Sequence, residues 1–172
     1  MSFKEGFEGF QSVFSQEPEK AKAVFRSTSH LVDGLKCEVR SGDHSMTIDE
    51  PEMLGGTNQG PNPVEVVLSA LGACQEITYR LYADKLEIPV TGVEVEVLGE
   101  IDLCGFFAVD DNVRPGYTDI MANVKIESTA SDEDIQRLIE AVDAHCPVLD
   151  IISNSTPIKI NVEKVAATNA AE

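Results

Sequence analysis

Hydrophobic and polar positions follow two different periods along this chain, and the switches between them mark its elements. Near the start, Phe3, Phe7, Phe10 and Phe14 are spaced by four, three and four, which puts all four rings on one face of a helix. Gly6 and Gly9 weaken that helix, so it needs a surface to dock on. Pro18 ends it. From Ala21 to Ile48 the period shortens to two. KAVFRSTSHLV, LKCEVR and HSMTIDE are separated by Asp33-Gly34 and Ser41-Gly42-Asp43, turn signals that predict three antiparallel strands. Cys37 alternates with Leu35 and Val39, which places it on the apolar side of the middle strand.

The connection DEPEMLGGTNQGPNP leads into the strongest helix signal in the chain. Asn62 is a good N-cap, Pro63 suits the first helical position, and Glu65 stands where it can reach back in a capping box. Val64, Val67, Leu68, Leu71, Cys74, Thr78, Leu81 and Tyr82 share one stripe, with Val66, Ala70 and Ile77 apolar beyond it. A helix apolar over so much of its girth is expected to be buried on more than one side. Gly72 costs such a helix about 1 kcal/mol relative to alanine, and predicts close approach of another backbone, such as a second copy of the same helix. Pro89 stops it.

Alternation returns in TGVEVEVLGEIDL and YTDIMANVKIES, which read as a long hairpin around the loop CGFFAVDDNVRPG. In SDEDIQRLIEAVDAH, Ser131 is an N-cap, three acids fill the first turn, and Ile135, Leu138, Ile139 and Val142 form a core stripe. CPVLDII reads as a short helix with Cys146 as its cap and Pro147 first inside it. PIKINVE predicts a last alternating strand, and VAATNAAE a mobile tail. Strands and helices in this order predict an α+β fold, not an alternating parallel α/β fold. The expected division is an N-terminal helical extension over 1–20, one domain over 21–164 and a flexible tail over 165–172.

Composition narrows the function classes. A chain of 172 residues with 42% hydrophobic and 25% charged residues forms one domain, or a subunit that completes its core in an oligomer. Its formal charge of −17 disfavours nucleic acid and anionic membrane surfaces. No apolar run approaches the roughly 18 residues of a membrane span, and MSFKEGFEGFQ lacks a secretory signal's basic start and apolar core. The expected location is cytoplasmic. In a reducing compartment, Cys37, Cys74, Cys104 and Cys146 are expected to be free, catalytic or metal-binding, not a disulfide framework. Without a C-x-x-C pair, and with His30, His44 and His145 scattered, neither a metal nor another cofactor is predicted.

The thiols admit two readings each. Cys146 at a helix N-terminus is either a thiolate stabilised by unsatisfied backbone N–H groups or a small buried cap residue. Cys74 on the apolar stripe is either reactive or an inert hydrophobe. Cys104 in a loop is either exposed and reactive or a local packing residue. No phosphate loop or dinucleotide fingerprint is present.

GGTNQGPNPVEVVLSALGACQ, then AHCPVLDIISN and PIKINVE, together with DEPEMLGG and NVRPGYTDI, resemble the OsmC/Ohr family of osmotically induced and organic-hydroperoxide-resistance proteins. The resemblance spans roughly residues 20 to 163. It implies an OsmC-like domain whose antiparallel sheets wrap a long central helix, completed in an intertwined homodimer with two interfacial sites. It also implies that Cys74 attacks a hydroperoxide and becomes a sulfenic acid, that Cys146 resolves it into a disulfide, and that a dithiol or lipoyl-type reductant restores both thiols.

Hydroperoxide-resistance members activate the first cysteine with an Arg from the first hairpin and a Glu from the loop before the helix. This chain has Asp33-Gly34 at the turn and Pro51-Glu52-Met53-Leu54 in the loop, so those roles do not transfer by position. Arg40, Arg114 and Glu52 are the substitutes available, or else plain surface residues. NVRPG and the N-terminal extension resemble the OsmC-like branch of the family. The expected activity is thiol-dependent hydroperoxide reduction; the alternatives are a small-ligand binding protein and a redox sensor on the same fold.

Overall fold

A computed structural model describes residues 3–166. Of the tail expected over 165–172, residues 167–172 lie outside the described ones. The phenylalanine-spaced start forms α1 (Phe3–Gln16), none of whose residues is buried. Further on, the capped segment forms α2 (Pro63–Leu86), and α1 finds its surface there. The Phe7 ring meets Tyr82 edge-on at 5.4 Å, and Lys4 Nζ pairs with Glu87 Oε1 at 2.5 Å.

The three predicted strands are β1 (Ser27–Asp33), β2 (Lys36–Ser41) and β3 (His44–Ile48), antiparallel in the order β1-β2-β3. Gly34 and Gly42 take positive φ at the two turns, as tight hairpins require. Cys37 sits opposite Leu31 and Ile48, half-buried beside exposed Glu38. The first strand starts later than its β-rich sequence suggests. After a 3-10 turn at Pro18–Ala21, Val24 and Phe25 stand 97% and 94% exposed, paired with no strand among the described residues.

Asp49, 1% exposed, organises the connection to α2. Its carboxylate accepts from Thr57 Oγ1 at 2.6 Å and from the backbone N–H groups of Thr57, Gln59 and Glu50 at 3.0, 3.2 and 2.8 Å. The Thr57 hydroxyl, assisted by those amides, holds the Asp49 carboxyl below the ordinary carboxylate value. A depressed folded pKa contributes stability that is present above the unfolded value and lost as pH falls through the folded one. Asp49→Asn should therefore lower the denaturation midpoint at neutral pH, and urea titrations should show the gap to the parent protein narrowing once pH drops below the usual aspartate range.

At the start of α2 the capping box is complete: Asn62 Oδ1 accepts from Glu65 N and Glu65 Oε2 accepts from Asn62 N, both at 2.8 Å. A left-handed Glu87 ends the helix. Strands β4 (Val90–Ile101) and β5 (Tyr117–Ser128) form the long hairpin. Its loop contains one helical turn not expected from the sequence, α3 (Leu103–Phe106), capped by Asp102 through Cys104 N. Val93, Val95 and Val97 turn inward while Glu94 and Glu96 face out. The last two helices are α4 (Asp132–Asp143) and α5 (Pro147–Ser153).

The core lies where α2 meets α4: Tyr79, Tyr82 and Ala83 against Leu138, Val142 and Cys146, closed by Ile88 and Val90. The buried stripe of α2 is thus Leu71, Gln75, Thr78, Tyr79, Tyr82 and Ala83, rotated from the stripe read off hydropathy. Val67 and Ile77 remain 40% and 61% exposed, with Ala70 and Ala73 on the same open side. Gly72 meets strand β4 of its own chain, not a twin helix: a Cβ there would lie 3.5 Å from Val97 and 3.7 Å from the Val95 carbonyl. The strand predicted at PIKINVE is not formed within this chain. Residues 155–166 carry no regular structure, and Ile158, Ile160 and Val162 are 82%, 82% and 90% exposed, since a strand exists only where a partner edge accepts its hydrogen bonds.

Candidate active site

Two cysteines 72 residues apart meet at the seam of α2, α4 and α5, their sulfurs 3.4 Å apart with Cys146 donating to Cys74. Each is placed by ordinary local rules. Cys74 follows Leu71 by three on α2, half-buried against the core, and Thr78 Oγ1 ties to its carbonyl at 2.7 Å. Cys146 is the N-cap of α5, with Pro147 inside the first turn, and is 1% exposed.

The N-cap position does not make Cys146 a thiolate. No side-chain capping bond forms there. Burial pushes its thiol pKa up, neighbouring Cys74 adds to the rise, and the amides of Leu149 and Val148 only partly oppose it. Cys146 thus stands as a protonated, shielded thiol, while Cys74 faces an opening. A disulfide needs sulfurs about 2.05 Å apart, so a side-chain rotation of little more than ~1 Å would close the bridge, with all four cysteines free here.

The opening beside Cys74 is a cleft of about 520 Å³. Its walls are mostly apolar: Phe7 from α1, Ala70, Ala73, Ile77 and Leu81 from α2, and Pro147 from α5, with Thr78, Tyr82 and His145 completing them. The sequence had not marked His145 or Phe7 as site residues. For His145 the signal was available, since it directly precedes Cys146 and lies four residues after Ala141, whose carbonyl its Nδ1 meets at 2.8 Å.

The supporting residues expected from the sequence are elsewhere. Arg40 is exposed on β2, Arg114 is exposed in the β4–β5 connection and Glu52 is exposed in the 3-10 turn Glu52–Leu54. None of the three lines the cleft. Cys37 lies in the three-stranded sheet, and Cys104, exposed at α3, has its thiol pKa raised by its hydrogen bond to Asp102. Among the described residues no group of three His, Cys, Asp or Glu side chains could hold a metal ion, and no helix is long and apolar enough to cross a membrane.

The sequence model of the OsmC-like protein family matches residues 56–161, from Gly56 before α2 to beyond α5, and takes in both Cys74 and Cys146. The chain belongs to the OsmC-like protein family. Its α+β architecture agrees with solved OsmC-like structures. One is an OsmC-like protein from Mycoplasma pneumoniae, 23% identical with a TM-score of 0.67, covering 83% of this chain and 96% of its own. Another is an organic hydroperoxide resistance protein from Legionella pneumophila, 17% identical with a TM-score of 0.58, covering 76% and 89%. A third is an organic hydroperoxide resistance protein from Elizabethkingia anophelis, 20% identical with a TM-score of 0.57, covering 75% and 87%. No curated protein matches this OsmC-like chain by sequence. At these identities the structures speak for the fold.

Proposed function

We propose that this OsmC-like protein is a thiol-dependent hydroperoxide reductase, and the observation that carries the reading is the 3.4 Å separation of the Cys74 and Cys146 sulfurs, with Cys74 lining an apolar cleft. The Cys74 thiolate attacks the outer peroxide oxygen; an S–O bond forms, the O–O bond breaks, and the departing alkoxide takes up a proton. The Cys146 sulfur then attacks Cys74, forming the disulfide and releasing water. A dithiol or lipoyl-type reductant is oxidised as it restores both thiols, a cycle suited to the cytoplasm.

The working unit in this reading is a homodimer. The open apolar side of α2, through Val67, Ala70, Ala73 and Ile77, and the unpaired alternating segment 157–163 are surfaces that a second copy would cover. The Arg and Glu roles of the better-known members would then fall to groups brought by that copy, Arg40, Arg114 and Glu52 among the candidates.

Intact-mass analysis after one equivalent of tert-butyl hydroperoxide tests the reading. The expected product has lost two hydrogens, localised to a Cys74–Cys146 disulfide. Among the described residues no arginine or glutamate lines the apolar cleft, which favours a second reading, a small-ligand binding protein, and an unchanged mass would point there. A disulfide that forms once without sustained turnover in excess dithiol would instead mark a redox sensor.

A further inference from the structure

Peroxide reduction at Cys74 requires two proton movements: the thiol loses one before attack, and the alkoxide gains one as the O–O bond breaks. His145 faces the same cleft as Cys74. Its Nδ1 lies 2.8 Å from the Ala141 carbonyl. A carbonyl only accepts, so in the neutral ring Nδ1 carries the hydrogen and Nε2 keeps the lone pair. The ring also packs on Tyr82, centroids 5.1 Å apart, and Tyr82 in turn meets the Phe7 ring at 5.4 Å. Three elements of the fold therefore orient an imidazole that remains open to solvent. A ring held through its far nitrogen is the arrangement in which imidazole serves as a general base and then a general acid.

The neighbouring ionisable groups are poorly suited to the task. Burial pushes the Tyr82 hydroxyl pKa up. The Lys85 ammonium lies 4.5 Å from the Phe7 ring and 5.2 Å from the Tyr82 ring, and is not among the cleft walls. Cys146 donates to Cys74, and burial raises its own pKa. Asp143 on α4 bears on Tyr79, away from the lining. Apart from the reacting thiol, His145 and Tyr82 are the titratable side chains lining the cleft among the described residues.

We infer that His145 is the proton-transfer residue of this site, its Nε2 taking the Cys74 proton and returning it to the alkoxide oxygen of an organic hydroperoxide. The inference rests on the peroxidase reading above. The step balances: the thiol and the hydroperoxide become a sulfenic acid and an alcohol, the sulfur is oxidised, the peroxide is reduced, and His145 ends as it began.

The test compares reduced wild-type protein with His145→Gln in two single-turnover reactions at Cys74. One is oxidation by tert-butyl hydroperoxide, read by quenched mass analysis. The other is alkylation by iodoacetamide, whose iodide leaves without a proton. The variant should oxidise about 100-fold more slowly, lose distinctly less in alkylation, and regain part of the peroxide rate when free imidazole is added. His145→Asn provides a second variant should the first fold poorly. Oxidation within about twofold of wild type overturns the assignment, as do equal losses in both reactions without an imidazole response, which would mark a packing role. Wild-type protein that never oxidises at Cys74 would instead remove the peroxidase reading and this assignment with it.

Discussion

Replacing Cys74 by serine should abolish peroxide consumption, to the level of buffer and dithiol alone. A hydroxyl at this position keeps nearly the same shape within α2, where Cys74 is half-buried against the core, so the fold survives and the chemistry does not. Serine has neither the polarisable sulfur nor an accessible anion at neutral pH, and removing a covalent nucleophile costs on the order of 10³-fold or more. Cys146→Ser separates the two thiols. That variant should still consume one equivalent of hydroperoxide and then stall as a Cys74 sulfenic acid, trappable by a dimedone-type reagent, because the sulfur 3.4 Å away is no longer there to displace water. Continued turnover by Cys74→Ser would end the peroxidase reading outright. Equal loss in both variants would mean that the first oxidation itself needs the pair.

What could be read from the sequence was whatever is decided within a few residues. The Asn62–Glu65 capping box, the turns at Gly34 and Gly42 and the Ser131 cap all form as expected, because each is a local match between side chain and backbone. The α2 stripe was read less well. Hydropathy places Val67 on the stripe and Ile77 beside it, yet burial within one chain takes in Gln75 and Tyr79 instead, and periodicity does not say which neighbour a broad apolar helix chooses first. Gly72 was expected at a helix–helix crossing and instead admits β4; close approach was legible, the partner was not. The segment 157–163 has the alternation of a strand but pairs with no strand among the described residues, so sequence pattern and single-chain structure differ there.

The site divides along the same line. Spacing alone leaves two readings open for each of Cys74 and Cys146; their pairing is what the family resemblance implies, and the sulfurs lie 3.4 Å apart. At Cys146 burial raises the thiol pKa, and the backbone amides of Leu149 and Val148 oppose that rise only in part. In the sequence His145 is one of three scattered histidines; its place just after α4 brings it to the cleft.

Gly56→Ala should be among the most damaging single substitutions outside the thiols, with a loss of about 3 kcal/mol or more. An alanine Cβ there would lie 1.9 Å from the Glu50 carbonyl oxygen and 2.4 Å from its carbon. These are backbone atoms that no rotamer change can move aside. The same carbonyl accepts from Asn58 N at 3.1 Å, and Gly56 N donates to Pro51 O at 3.2 Å, so relief of the clash must break the loop's own bonds. It must also disturb Asp49, whose buried carboxylate grips Thr57 and Gln59 just beyond. Against a typical domain stability of about 5–15 kcal/mol, that loss should lower the urea midpoint markedly. Gly6→Ala, where a Cβ meets nothing within 4 Å, should leave the midpoint unchanged or slightly raised. Because the loop leads directly into the capped start of α2, proteolysis of the Gly56→Ala protein should cut first between 49 and 62, and the Cys74–Cys146 disulfide should form more slowly even in molecules that remain folded. Indistinguishable midpoints for the two glycine variants would show that the connection bends freely and does not set the position of the helix that carries Cys74.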